Sequence, residues 1–247
     1  MMRRAAIILM SAVALVAAAD IPFAPENIPA PDGNPWHFEM PEALLPIPAP
    51  EPPSLRLTDT DFEEVARELD IDPATIHAVV DIEAGRAHSG FNADSTVVIN
   101  FDLSMFRSMA KRNKVNLSKY TKRYPEVFAR PNIRKYGNQQ RAQHARLRQA
   151  MEIDSLTAIQ GTFWGMFQIG GFNWKKCGAK SSADFVERMS RSERDQLELF
   201  ANFLRSTGLD RHLRSHNWAA FARGYNGPSY ARRGYHTRLA RAYAKYK

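Results

Sequence analysis

The chain has 247 residues, with 34 Lys plus Arg against 26 Asp plus Glu, 44% hydrophobic residues, 15 prolines and a single cysteine. That length suits one globular domain of ordinary size or two small ones. Without a glycine period, a cysteine pair or a hydrophobe-poor composition, the collagen-like, disulfide-framed and wholly disordered classes are excluded.

Residues 1–19 read as a secretory signal: Arg3 and Arg4 give a basic start, Ala5 to Ala17 an apolar run, and Ala17-Ala18-Ala19 a small-residue cleavage site. The run is short for a membrane span of about 20 residues. A secreted or periplasmic location is therefore expected, with a retained N-terminal membrane anchor as the alternative. Residues 20–56 form a proline-rich acidic linker. Eleven of the fifteen prolines fall between Pro22 and Pro53, removing backbone donors too often for helix or sheet to propagate. The linker carries a net charge of −5, which leaves residues 57–247 at +11, against +8 for the whole chain. A basic exported domain suits an anionic cell-wall polymer or an anionic membrane surface; a merely solvated charged surface is the plainer reading. Nucleic acid is not expected, since no zinc-finger spacing or aromatic-basic RNA motif is present.

From residue 57 onward the pattern is mainly helical. Thr60 and Glu63 make a capping box ahead of Phe62, Val65, Ala66 and Leu69. Asp72-Pro73 starts a second helix, whose stripe of Ile76, Val79 and Val80 continues to Glu83 before Gly85 ends it. A carboxyl on a buried stripe in a last turn is disfavoured as an anion by burial and by the helix dipole, and a raised pKa is what a general acid needs. The alternative is a Glu turned to solvent or paired with Arg86.

Thr96–Phe101 is a β-branched run that predicts a short strand ending at Asp102. Helices are expected over 103–112, 139–151, 154–162 and 182–189. Another follows Ser190 and Glu193, read as a capping box, and stops at Gly208. Trp218–Arg223 is a short helix broken by Asn226-Gly227-Pro228, and a basic helix runs from about His236 to the end. The expected class is α+β but mainly α, with a small β region near Glu83.

Four segments in order resemble the N-acetylmuramidase domain family of phage endolysins and bacterial cell-wall hydrolases. They are Ile82-Glu83 with Gly90-Phe91; Ile99-Asn100-Phe101-Asp102 with Phe106; Gln160, Trp164 to Ile169, Gly171-Phe172-Asn173 and Cys177-Gly178; and Ala219 to Pro228 with Tyr230-Ala231 and Tyr235. The resemblance covers about residues 60–245 and implies a lysozyme-like fold. The chain departs from it at Asp102, where the family usually has Glu, at Ser104, where His is common, and at Phe163, where a small residue precedes the Trp.

What the resemblance implies is hydrolysis of peptidoglycan at the β-1,4 bond between N-acetylmuramic acid and N-acetylglucosamine. Glu83 would donate the proton and Asp102 would be the ionised partner, with Asp94 as a weaker alternative. Gln168 lies in a run similar to a substrate-facing segment of lysozyme-like enzymes, although it could equally tie backbone together. Tyr225 and Asn226 before a Gly-Pro turn suit stacking and hydrogen bonding to a sugar, or else an ordinary turn with a core tyrosine. Trp164, Phe167, Phe172 and Trp174 read as core, with Trp164 a candidate to desolvate Glu83.

No cofactor or metal is expected: His212 and His216 lack the zinc-peptidase pattern, and Cys177 reads as a small buried residue rather than a nucleophile. A monomer acting on peptidoglycan is the expectation. A lytic transglycosylase, a non-catalytic wall-binding module and a membrane-active basic protein remain as competing functions.

Overall fold

The computed structural model describes residues 55–83 and 89–247, which belong to one compact unit, Glu51–Lys247. The signal, most of the linker, and Gly85 and Arg86 lie outside the described residues. Twelve α-helices and a three-stranded sheet follow one another among the described residues.

Helix α1 (Asp59–Leu69) is capped by Thr58, two residues before the expected box. Thr58 Oγ1 accepts from Asp61 N, and Asp61 Oδ2 accepts from Thr58 N at 2.7 Å. The Thr-Asp-Thr-Asp repeat offers two registers, and the earlier one lets a short aspartate close the reciprocal box. Helix α2 (Pro73–Glu83) starts as its sequence predicts, with Asp72 accepting from Thr75 N at 3.0 Å and Pro73 in the first turn. Ile76, Val79 and Val80 are buried, and Glu83 is the last residue.

Strand β1 is shorter than expected, Ile99–Phe101, because Phe91 and Val97 pair as an isolated bridge and the chain between them turns through Asp94 and Thr96. Asp102 then caps α3 (Leu103–Arg112), accepting from Met105 N at 2.8 Å. Two one-turn helices that the sequence reading lacked, α4 (Pro125–Phe128) and α5 (Ile133–Tyr136), precede α6 (Gln139–Ile153) and α7 (Ser155–Gln160). The helix expected over 154–162 stops early, and Thr162–Trp164 becomes β2. It turns into β3 (Ile169–Gly170) and pairs antiparallel with both neighbours in the order β1-β2-β3. The turn uses Gly165 at φ +68°, where a Cβ would also meet Gln196 Oε1 at 2.6 Å.

Helix α8 (Ser182–Arg191) ends later than expected. Ser192, rather than Ser190, caps α9 (Glu193–Thr207) by accepting from Asp195 N. Glu193 is therefore freed from a capping role and turns inward. Helices α10 (Asp210–Arg214), α11 (Trp218–Asn226) and α12 (Tyr235–Tyr246) complete the unit, with α12 packed on α2 and α11. Phe101, Phe106, Phe185, Phe200, Phe221, Leu204 and Leu239 are fully buried at the centre. Burial of that many large side chains, each worth about 1.5–3 kcal/mol, supplies the cohesion that no disulfide can, since Cys177 is free and buried.

Candidate active site

Two helix C-termini meet at one cavity. Glu83 ends α2 and Asn226 ends α11, and Asn226 Nδ2 donates to Glu83 Oε1 at 3.0 Å. The cavity, about 310 Å³, is lined by Glu83, Gln168, Asn173 and Asn226 among the rings of Phe163, Phe167, Phe172, Phe203, Tyr225 and Tyr235. Burial pushes the Glu83 carboxyl up to about 7; the Asn226 hydrogen bond and the nearby Arg238 charge both pull it down and are outweighed. Glu83 thus neither turns freely to water nor reaches ionisation at an ordinary glutamate pH.

Tyr225 donates its hydroxyl to Phe167 O at 2.7 Å and stacks on Phe221, with burial holding its phenol well above the usual range. Its oxygen is committed to the backbone, so its ring is what it offers the cavity. Gln168 occupies the left-handed region at φ +47°, and both its backbone N–H and its Nε2 donate to Gly165 O. This local cost is of order 1 kcal/mol or more. It fixes the side chain at the cavity edge, with Oε1 unclaimed by any protein donor among the described residues.

Asp102 opens on a different cavity, about 410 Å³, with Asn100, Ser104, Arg130, Gln143 and Arg146. Its Oδ1 is occupied as the α3 cap. The structure therefore does not bring Asp102 into the cavity of Glu83. The reason is local: the strand ends at Phe101, and the next residue is taken by the helix start. Asp94 is also outside the Glu83 cavity, bound to Thr96 Oγ1 at 2.6 Å in an exposed turn that borders a third cavity.

Trp164 is buried and donates Nε1 to Ile159 O at 3.1 Å, so it is core and does not line the Glu83 cavity. Phe167 is likewise buried, whereas Phe172, expected in the core, is half-buried against the cavity. Sequence reasoning did not place Phe163 or Phe203 beside Glu83; Phe163 stood out only as a departure from the family pattern, and Phe203 gave no separate signal. Period alone could not say which cavity they would face.

His216 bonds Asp72 at 3.0 Å and Thr75 at 3.2 Å and stacks on Trp218, which explains the histidine by structure. Cys177 is fully buried, and burial pushes its thiol up to about 12, so it carries no thiolate at neutral pH.

The N-acetylmuramidase family model matches residues 72–247, a span that contains both helix ends, the sheet and every residue lining the cavity. The chain belongs to the N-acetylmuramidase family. A crystal structure of the Burkholderia AP3 phage endolysin is similar to this muramidase at 33% identity with a TM-score of 0.66, covering 78% of this chain and 72% of that one. No curated protein sequence matches the chain significantly. The fold is the lysozyme-like α+β fold of endolysins, and the muramidase is a glycoside hydrolase acting on peptidoglycan. None of the described helices is long and apolar enough to cross a membrane.

Proposed function

We propose that this muramidase is exported, through residues 1–19 and a linker over 20–56, and that its domain hydrolyses the β-1,4 bond between N-acetylmuramic acid and N-acetylglucosamine with Glu83 as general acid. The observation that carries the reading is a carboxyl with a pKa of about 7, bonded to Asn226 and facing an aromatic-lined cavity. An ordinary glutamate, ionising near 4.3, has no proton to give at neutral pH. Burial lets Glu83 hold its proton to well above that pH.

In the reaction, Glu83 transfers its proton to the bridging oxygen as the C1–O bond breaks. The bond electrons stay on that oxygen, leaving an oxocarbenium-like carbon that water captures. Asn226 holds the carboxyl in place, the Tyr225 ring packs against the sugar, and Gln168 Oε1 accepts a hydrogen bond from it. Asp102, which lines a different cavity from Glu83, takes the proton of the attacking water as a general base rather than attacking the sugar itself. The +11 charge of residues 57–247 draws the enzyme, as a monomer, to the anionic wall.

One observation favours a second reading. Among the described residues lining the cavity, Glu83 is the sole carboxylic acid. A lytic transglycosylase needs only one, since the substrate's own hydroxyl captures the cation. Mass spectrometry of digested peptidoglycan separates the two: reducing muramic acid ends support hydrolysis, and 1,6-anhydro ends reassign the enzyme. Glu83→Gln is expected to abolish wall clearing while still folding; clearing at the wild-type rate by that variant refutes the acid assignment.

A further inference from the structure

The inference deepens the proposed reading of the Glu83 cavity as a sugar site and concerns its neighbour. The outer face of the sheet carries one residue from each strand in a row: Asn100 on β1, Phe163 on β2 and Gly170 on β3, paired in register as Asn100 with Phe163 and Phe163 with Gly170. Residues on either side of them, Ile99, Phe101, Thr162, Trp164 and Ile169, are buried on the inner face.

This row connects two cavities. Phe163 and Gly170 line the one that holds Glu83; Asn100 lines the one that holds Asp102. With neighbouring strands about 4.8 Å apart, the row spans about 10 Å.

The row is built to present one ring. A Cβ on Gly170 would lie 2.3 Å from Phe172 Cε1, so only glycine lets Phe172 lie over the end of the sheet. Phe172 then meets Phe163 edge to face, with ring centroids 6.2 Å apart and an interplanar angle of 87°. That contact fixes the Phe163 ring while leaving it half-exposed at the cavity. Beside it, Asn100 Oδ1 accepts from Gln143 Nε2 at 2.9 Å, which orients the amide and leaves the Asn100 NH₂ exposed without a protein acceptor among the described residues. A braced aromatic face next to an oriented amide donor matches the chemistry of an N-acetylhexosamine, which has an apolar ring face and an acetamido carbonyl.

We propose that Phe163, braced by Phe172, is the stacking platform of a glycan subsite adjoining Glu83, with Asn100 donating to a sugar acetamido or hydroxyl oxygen. Phe163 is a specificity-determining residue of this chain.

The test measures binding of a GlcNAc-MurNAc tetrasaccharide by calorimetry in the Glu83→Gln background, where turnover does not interfere. Phe163→Ala should weaken binding about tenfold, the size of a lost aromatic stack plus its buried area. Phe163→Trp should restore it, Phe163→Leu should not, and Asn100→Ala should weaken it about threefold. In the active enzyme, Phe163→Ala should raise KM by a larger factor than it lowers kcat. The melting temperature of each variant identifies loss through misfolding, and Phe163→Leu keeps the apolar volume for comparison.

Wild-type affinity in Phe163→Ala, or equal binding by the Leu and Trp variants, overturns the platform. Phe163-dependent binding in a protein whose wild type releases no sugar ends from the wall would keep the platform and remove the Glu83 assignment. Release of those ends with Phe163-independent binding does the reverse.

Discussion

The Asn226 amide donates to Glu83 Oε1 at 3.0 Å across 143 residues of sequence, joining the last residue of α11 to the last residue of α2. A hydrogen bond to a carboxylate favours the ionised form, and here it opposes burial without overcoming it. The acid is therefore held by a contact that also limits how far its pKa rises.

That balance gives a pH dependence. The proton is needed for catalysis, so kcat/KM should fall as pH rises through about 7. Asn226→Ala removes a contact that lowers the pKa, and its alkaline limb should move to higher pH while kcat drops about tenfold through lost positioning. A pH–rate profile of wild type and variant checks this; an alkaline limb that moves to lower pH contradicts the assignment.

Stability follows the same group. The Glu83 pKa rises from 4.5 to about 7 on folding, so the folded state binds the extra proton. Its stabilising effect is complete below pH 4.5 and is lost as pH climbs through 7, a change of about 3 kcal/mol at about 1.4 kcal/mol per pKa unit. Glu83→Gln cannot ionise and should raise the melting temperature at pH 8 by roughly 5 °C or more, with little effect at pH 4. Scanning calorimetry at both pH values decides it.

Glu193 links distant backbone. It is 2% exposed and accepts from Gly90 N at 2.8 Å, Leu57 N at 3.0 Å and Arg56 at 3.2 Å. Glu193→Ala leaves two N–H groups without this acceptor and should cost about 2–4 kcal/mol, whereas Glu193→Gln, keeping one acceptor oxygen, should cost less. Urea unfolding measures both; equal costs would mean that packing rather than hydrogen bonding matters there.

Asp102 separates capping from catalysis through one substitution. Asparagine caps a helix about as well as aspartate, so Asp102→Asn should keep its stability to within about 0.5 kcal/mol, while alanine should lose about 1 kcal/mol. If the carboxylate acts on water, wall clearing by Asp102→Asn should fall about a hundredfold. Full activity in a stable Asp102→Asn protein would confine the residue to its cap.

Tyr225→Phe should lower stability by about 1–2 kcal/mol, because Phe167 O loses its 2.7 Å donor. The sugar products should be unchanged, since the ring remains. A changed product pattern would show that the hydroxyl meets substrate.

Much of the site was readable because it is local. Asp72-Pro73 sets where α2 starts, and 3.6-residue periodicity from Ile76 carries the buried stripe to Glu83. The Asn226-Gly227-Pro228 break likewise ends α11 where the sequence predicts an interruption. The capping boxes each had two registers available, since Thr58 against Thr60 and Ser192 against Ser190 are the same chemistry two residues apart. The surrounding packing selects between such registers.

By itself, then, the sequence determined the longer helices, most of their breaks, the place of Glu83 at the end of α2 and the basic charge of the domain, all consequences of spacing and composition. Tertiary structure alone decided that Asn226 meets Glu83, that Asp102 and Glu83 open on different cavities, and that Phe163 lines the Glu83 cavity while Trp164 beside it is core. Those outcomes depend on which strand faces pair and which helix ends converge. Such contacts join residues tens to more than a hundred positions apart, where neither periodicity nor local propensity carries information.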